Sequence, residues 1–351
     1  SVLSSANIKA DVNDPNAGAK KQEPAMRQVP KRILGKTGVE VPCLSLGMMY
    51  DVVENQIILR KSLELGVCLW DTAPAYAGGN SEAGIGKFLS RNPDVRKDVF
   101  IVTKASGART VNDVEKHLQN SLKRLNTSYI DLYYGVHALS EPSQLTDELK
   151  QWVKDAKGRK LIRFFGFSTH TNIAENLAAT AKLDWVDAIT TSYNFRLMQD
   201  AKIMEAVDAC YKQGIGLIAM KTTGKTIVSW AKQDIETEAD KKLVEHLLQR
   251  GFSPEQATIK LVLEDKRISS ACVGMENIAI LTSNAEAVCD ETKLTKEDFE
   301  VFRNYAAATC SGYCAGCANI CNSALPDVPY ISDVMRYLMY YNTYGDKDRA
   351  K

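Results

Sequence analysis

Four residues set far apart in the chain suggest one chemistry. Asp71, Tyr76, Lys104 and His137 together can make a proton donor for a carbonyl group. A free tyrosine, with a pKa near ~10, is a poor acid at neutral pH. A lysine ammonium a few ångströms away favours the phenolate and lowers that pKa. An aspartate paired with the lysine keeps it charged and placed. A histidine beside the tyrosine can hydrogen-bond the substrate oxygen and relay the proton. The tyrosine then supplies a proton as a hydride reaches the carbonyl carbon. Taken singly, each residue is as ordinary as a structural ion pair or a surface ring. Their order along the chain gives them weight.

That order implies a scaffold of strand ends. Apolar, strand-like runs recur at Cys43–Gly47, Val67–Asp71, Val99–Lys104, Ile130–His137, Ile162–Ser168, Ala188–Tyr193, Ile215–Lys221 and Ser269–Gly274. Amphipathic helical patterns lie between them, at Glu54–Glu64, Ser81–Leu89, Val111–Leu125, Gln144–Ala156, Ile173–Ala181, Asp200–Gln213 and Pro254–Glu264, the last capped by Ser253. Strand and helix in repeated alternation mean parallel pairing with crossover helices. A closed (β/α)8 TIM barrel is the most economical solution. An open doubly wound sheet would show a glycine-rich G-x-G-x-x-G turn after its first strand, and here Gly47 is followed by Met-Met-Tyr50-Asp51. In a barrel the carboxyl ends of the strands share one mouth. Asp71, Lys104 and His137 end the second, third and fourth strands, and Tyr76 lies on the loop after the second.

The barrel and the helix after it, Lys296–Ala307, fill residues 31–308. It opens with a hairpin across Arg32–Leu46 in which Gly35 and Gly38 turn the chain. Residues 1–30 lack an apolar period and are expected to form a disordered or surface-draped arm. Thr226–Arg250 reads as a long charged helical stretch, and 309–351 as an appended cysteine-rich segment.

Composition narrows the function classes. The chain has 351 residues, 45% hydrophobic and 25% charged, with a net charge of +1. That excludes a disordered chain, and it leaves no electrostatic footprint for nucleic acid or an anionic membrane. No apolar run approaches the roughly 18 residues of a membrane span. The partner expected is a small-molecule carbonyl substrate. Of nine cysteines, Cys43, Cys68, Cys210, Cys272 and Cys289 are scattered among apolar runs and read as small buried hydrophobes. Cys310, Cys314, Cys317 and Cys321 crowd into one segment.

The run D71-T-A-x-x-Y76-x-x-G79-x-S81-E82-x-x-x-G86, followed by V-T-K104 and Y-I-D-L-Y-Y-G-V-H137, resembles the aldo-keto reductase family over roughly Arg32 to Thr295. The resemblance implies a nicotinamide-dependent oxidoreductase that reduces an aldehyde or ketone, sugar-like ones included. It makes Tyr76 the general acid, Lys104 and Asp71 its tuning pair, and His137 the residue that orients the carbonyl. The strand carrying His137 has one residue more than the family pattern between Asp131 and the histidine, with Gly135 between them. A β-bulge there would restore the histidine's direction.

The resemblance also places a cofactor, NAD(P)H, across the mouth. Ser168 and Thr169 stand where the family holds the carboxamide with Ser-Asn, and Thr190 stands in place of a glutamine. Tyr193 is expected to stack on the nicotinamide. Lys221, Thr222 and Gly224 suit the pyrophosphate, and Gly274 and Asn284 the adenosine end. Ile280 replaces the arginine usual for a 2′-phosphate, and no basic residue lies from Gly274 to Asn284. NADH is therefore expected to bind at least as well as NADPH.

Some relatives carry a ferredoxin-like C-terminal extension, and the segment C310-S-G-Y-C314-A-G-C317-A-N-I-C321 is similar to one. A [4Fe–4S] cluster on the four thiolates is the leading expectation. The first gap is one residue longer than the ferredoxin run, and Asn322 replaces its proline. Two disulfides, zinc or free thiols are the alternatives. The Met- and Tyr-rich end is expected to pack on the barrel, with a contact between copies in a homo-oligomer as the other option. Two further functions stay open, a barrel without redox turnover that serves as a binding or regulatory subunit, and an enzyme that draws electrons from the cluster. The substrate pocket is expected from loops Gly47–Asp51, His137–Pro142 and Thr223–Trp230, with Tyr50, Phe195 and Trp230 as aromatic lining. A Ser/Ala-rich start without Met fits a chain whose leader was cut, which favours the periplasm over the cytoplasm.

Overall fold

The computed structural model describes residues 27–224, 237–328, 330–343, 347 and 350. The eight core strands are β3 (Leu44–Gly47), β4 (Leu69–Asp71), β5 (Phe100–Ser106), β6 (Ile130–Leu139), β7 (Ile162–Thr169), β8 (Ala188–Ser192), β9 (Gly216–Met220) and β10 (Ile268–Gly274). They close into a parallel barrel in the order β10-β3-β4-β5-β6-β7-β8-β9. The expected fold is the observed one. β1 (Lys31–Ile33) and β2 (Glu40–Pro42) form the antiparallel hairpin that precedes it.

The strands are buried on both faces, as a parallel sheet under helices requires. Inward-facing Leu69, Phe100, Val102, Leu132, Tyr134, Ala188 and Ile218 make one cluster, which Leu34 after β1 joins. Outward-facing Trp70, Ile101, Tyr133 and Phe165 pack under the helices in another. The amphipathic patterns become α1 (Gln56–Glu64), α2 (Asn80–Arg91), α3 (Val111–Arg124), α4 (Asp147–Gly158), α5 (Ile173–Thr180) and α6 (Ala201–Lys212). α4 starts later than its pattern. Pro142–Gln144 form a separate 3-10 turn, and the Thr146 hydroxyl accepts from the Leu149 amide to begin the helix anew.

Of the charged stretch Thr226–Arg250, α7 (Glu238–Gln249) is helical, and 225–236 lie outside the described residues. α8 (Pro254–Glu264) has Ser253 in a capping box with Gln256. α9 (Ile278–Cys289) and α10 (Lys296–Ala308) follow. Beyond them come a 3-10 turn at Cys310–Gly312, then α11 (Ala318–Ala324) and α12 (Ile331–Leu338), which runs into a π turn. At the other end, Val29 is buried and its amide donates to the Leu65 carbonyl at 2.9 Å. Of the expected arm, 1–26 lie outside the described residues. Among the described residues no helix is long and apolar enough to cross a membrane.

Candidate active site at the barrel mouth

β4 ends at Asp71, and the loop after it is held at both ends. The Thr72 and Ser81 hydroxyls meet at 2.6 Å, and Ser81 also donates to the Met48 carbonyl at 2.7 Å. This clamp presents Tyr76, half-buried, over the mouth. From β5, the Lys104 ammonium donates to Asp71 Oδ1 at 2.7 Å and to the Thr72 carbonyl at 2.8 Å. Lys104 Nζ lies 4.7 Å from the centre of the Tyr76 ring. His137 meets the same ring edge-on, centroids 6.1 Å apart. The structure thus brings Asp71, Tyr76, Lys104 and His137 together.

His137 arrives through the irregularity expected of β6. Lys104 pairs with Tyr134 but Ser106 pairs with His137, and on the other side Tyr134 and Val136 pair with consecutive residues Gly166 and Phe167. Gly135 is the extra residue, a β-bulge. A Cβ on it would sit 2.6 Å from the Phe165 ring, so the bulge excludes any side chain. Beyond it, Ser106 Oγ meets His137 Nδ1 at 2.8 Å. Nε2 is the nitrogen left for a substrate oxygen.

The electrostatics differ from the expectation in one respect. Burial disfavours the Lys104 ammonium, but the Asp71 carboxylate outweighs it and holds the lysine charged. Burial pushes the Tyr76 phenol up, and Lys104 only partly reverses that. Tyr76 therefore stays protonated through neutral pH instead of being lowered towards it. Burial, then Lys104, push His137 down to about 3, which keeps the imidazole neutral. The consequence is a pH profile. Carbonyl reduction should be flat through neutrality and fall only when the phenol ionises, above about pH 10. Initial rates across pH at saturating substrate check this. A transition centred near the free imidazole value of about 6.5 would show instead that His137 titrates.

The fifth and sixth strand ends are less open than expected. Ser168 Oγ is buried and has no hydrogen-bond partner. An orphaned hydroxyl beside His137 in register fits the carboxamide of a nicotinamide. Thr169 does not add to it, because its buried hydroxyl donates to the Leu139 and Thr171 carbonyls at 2.8 and 3.0 Å. Thr190 is likewise committed, at 2.5 Å from the Tyr134 hydroxyl. Tyr193 is a correction. Its ring is fully buried with Phe167, Ile189, Ile203 and Ile268, and its hydroxyl donates to Asp265 at 2.6 Å. It offers no face for stacking.

Phe195 also turns away from the mouth, packing on Phe302 of α10 with centroids 5.2 Å apart, and Trp230 lies outside the described residues. Tyr50 donates to the Met275 carbonyl at 2.7 Å. Lys221 and Gly224 line a cavity at the mouth beneath the C-terminal segment, and Thr222 beside them is buried. Gly274 ends β10 in the open, and Asn284 is buried on α9. A residue that sequence reasoning passed over is Cys272, read only as a small hydrophobe. Its thiol feels Asp71 and Lys104, and burial pushes it up to about 12, so it is a neutral neighbour of the pair.

The [4Fe–4S] expectation for the cysteine-rich segment finds no support among the described residues. All four of its thiols are free, and among the described residues no group of three or more metal-ligating side chains comes together. Cys310 is exposed in its 3-10 turn, while Cys317 and Cys321 lie one turn apart at the start of α11. The chain between them is laid against the barrel. The Asn194 amide donates to the Tyr313 hydroxyl at 3.1 Å, and the Asn172 backbone amide donates to the Gly316 carbonyl at 2.9 Å. No disulfide forms there either.

Comparison with known proteins gives one consistent result. A profile described as "Aldo/keto reductase family" matches residues 47–306. L-galactose dehydrogenase of Arabidopsis thaliana is 25% identical over 288 residues, 76% of this chain and 90% of the relative. L-glyceraldehyde 3-phosphate reductase of Escherichia coli K12 is 25% identical over 325 residues, 80% and 93% of the two chains. The solved structure of aldo-keto reductase AKR11C1 from Bacillus halodurans, in its holo form, superposes with a TM-score of 0.66 at 22% identity. It covers 79% of this chain and 96% of that one.

Proposed function

The chain belongs to the aldo/keto reductase family of NAD(P)-dependent oxidoreductases, and from that premise we propose that it reduces a small carbonyl compound with Tyr76 as proton donor. The observation that carries this reading is the position of Lys104, ion-paired to Asp71 at 2.7 Å and 4.7 Å from the Tyr76 ring, with His137 against that ring. The bound nicotinamide supplies a hydride. The rest is done by the chain's own side chains. Tyr76 gives its phenolic proton to the carbonyl oxygen. His137 meets the same oxygen, and when Ser106 donates to Nδ1, the Nε2–H is the donor. Lys104 stays charged and stabilises the phenolate left behind, while Asp71 and the Thr72 carbonyl fix its ammonium.

Ser168 is the residue best placed for the carboxamide. We carry over the substrate class from two relatives named for small sugars, so the compound expected is a short polyhydroxy aldehyde or ketone. Consumption of NADH on addition of such carbonyls, with deuterium from labelled cofactor found on the product's carbinol carbon, tests the reading. Cofactor binding without turnover on any carbonyl would leave the barrel a binding protein.

Cofactor choice gives a second test. No basic residue lies from Gly274 to Asn284, so a 2′-phosphate gains no charge-assisted bond there. Such bonds contribute roughly 1.5–3 kcal/mol each. NADH is expected to bind at least as tightly as NADPH. Quenching of protein tryptophan fluorescence, Trp70 being next to Asp71, measures both. Clearly tighter NADPH would mean that a lysine or arginine from elsewhere reaches the phosphate.

A further inference from the structure

The family match ends at residue 306, and the segment beyond it lies over part of the mouth. Its seat is specific. Gly316 has φ +79, and a Cβ there would stand 2.3 Å from the His170 carbonyl oxygen, so only glycine lets the chain come so close. Asn319 donates from its backbone to Asn172 at 3.0 Å and from its side chain to Glu175 at 3.0 Å. Arg196 stacks over the Tyr313 ring at 5.1 Å.

Between this segment and the ends of β7, β8 and β9 remains a half-enclosed cavity of about 90 Å3. A single water needs roughly 10–15 Å3 on the same measure, so there is room for a group of a few heavy atoms. His170, Ser192, Asn194 and Lys221 line it from the barrel, and Tyr313 and Arg336 line it from the segment. Its lining holds two cations, four hydroxyls and an amide, and among the described residues no carboxylate. His170 is tied to Ser192 at 2.9 Å and is neutral, pushed down to about 3 by burial, then by Lys221 and Arg336. Lys221 itself is held at φ +56, in the left-handed region that a lysine seldom adopts.

We infer that the C-terminal segment completes a pocket for a phosphate-type oxyanion, with Arg336 supplying the fork and Lys221 the second charge. This rests on the reductase reading for its source. The oxyanion belongs either to a phosphorylated carbonyl substrate or to the diphosphate of the nicotinamide nucleotide. Arg336 is contributed by α12, outside the barrel, so it makes the segment part of the site.

Calorimetric titration with inorganic phosphate tests the pocket without any turnover. Wild-type protein should show a saturable site. Arg336→Gln should weaken it about tenfold or more, the size of one charge-assisted bond. Arg336→Lys, which restores the charge without the fork, should recover part of the loss. Two arms identify the source. If Arg336→Gln lowers the ratio of kcat/KM for glyceraldehyde 3-phosphate over glyceraldehyde about tenfold and leaves the NADH Kd unchanged, the anion is the substrate's. If the NADH Kd rises and the ratio holds, it is the cofactor's. Absence of saturable phosphate binding in the wild type, or equal binding by Arg336→Gln, overturns the pocket. Wild-type turnover of uncharged glyceraldehyde reports on the reductase reading separately, so the two cannot be confused.

Discussion

Tyr76→Phe should leave the fold intact and cut carbonyl reduction by about 10²–10⁴-fold. The substitution removes one hydroxyl from a half-buried ring on a loop whose own clamp, Thr72 to Ser81 to the Met48 carbonyl, does not involve it. The ring contacts to Lys104 and His137 survive in phenylalanine. What disappears is the group that hands a proton to the oxygen while Lys104 stabilises the resulting anion. The melting temperature should therefore hardly move while kcat collapses. Cofactor binding measured by fluorescence should be preserved. Near-normal turnover in the variant would transfer the acid role to another group, with His137 the first candidate.

Lys104→Met should have the second largest effect, and it should strike stability as well as activity. Lys104 and Asp71 are both buried, at 2% and 6% exposure. The ammonium is the partner that Asp71 Oδ1 and the Thr72 carbonyl share. Methionine fills the volume and satisfies neither oxygen. Breaking a buried pair from one side costs about 3–5 kcal/mol, because the remaining charge is stranded. A lower denaturation midpoint and lost turnover are the expected results. The double variant Asp71→Asn with Lys104→Met removes the stranded charge, so it should lose less than the sum of the two single changes. Additive losses would mean that the pair is not energetically coupled.

Much of this was legible in the chain. The alternation of apolar runs and amphipathic helices gave the closed barrel because a parallel strand buried on both faces has a composition of its own. Ser253 marked the start of α8 to the residue, since an N-cap is local chemistry. The site was legible where spacing carries the information, as in the loop from Asp71 to Ser81. It was not legible where a single rotation at a strand end decides. Tyr193 follows β8 directly, and nothing in its neighbours says whether the ring turns over the mouth or down among the helices. The structure shows the second, tied to Asp265, which lies 72 residues further along. Thr169 failed similarly, since its partner carbonyls at Leu139 and Thr171 are brought to it by the fold. The sign of the Tyr76 shift was missed because Lys104 is visible in the sequence and the depth of burial is not. The four cysteines were read from their spacing, which the fold does not turn into a metal group among the described residues. Their spacing approaches a ligand run, but Tyr313 and Gly316 between them are spent on the barrel wall.

The bulge at Gly135 makes the direction of His137 a matter of parity. In β6 the even-numbered Leu132 and Tyr134 point into the barrel, and the odd-numbered Tyr133 points under the helices. An odd-numbered histidine on an unbroken strand would follow Tyr133 outward, away from Tyr76. The one supernumerary residue resets the count, so that 137 behaves as an even position would. The histidine's direction is thus set jointly by the residue count after the last regular ladder pair and by whether a bulge absorbs one of those residues. A chain with no residue at 135 would keep that direction on a straight strand, and a chain with a second extra residue would reverse it. A residue gained or lost at this point therefore keeps the histidine's direction only where a bulge, formed or removed, takes up the change of parity.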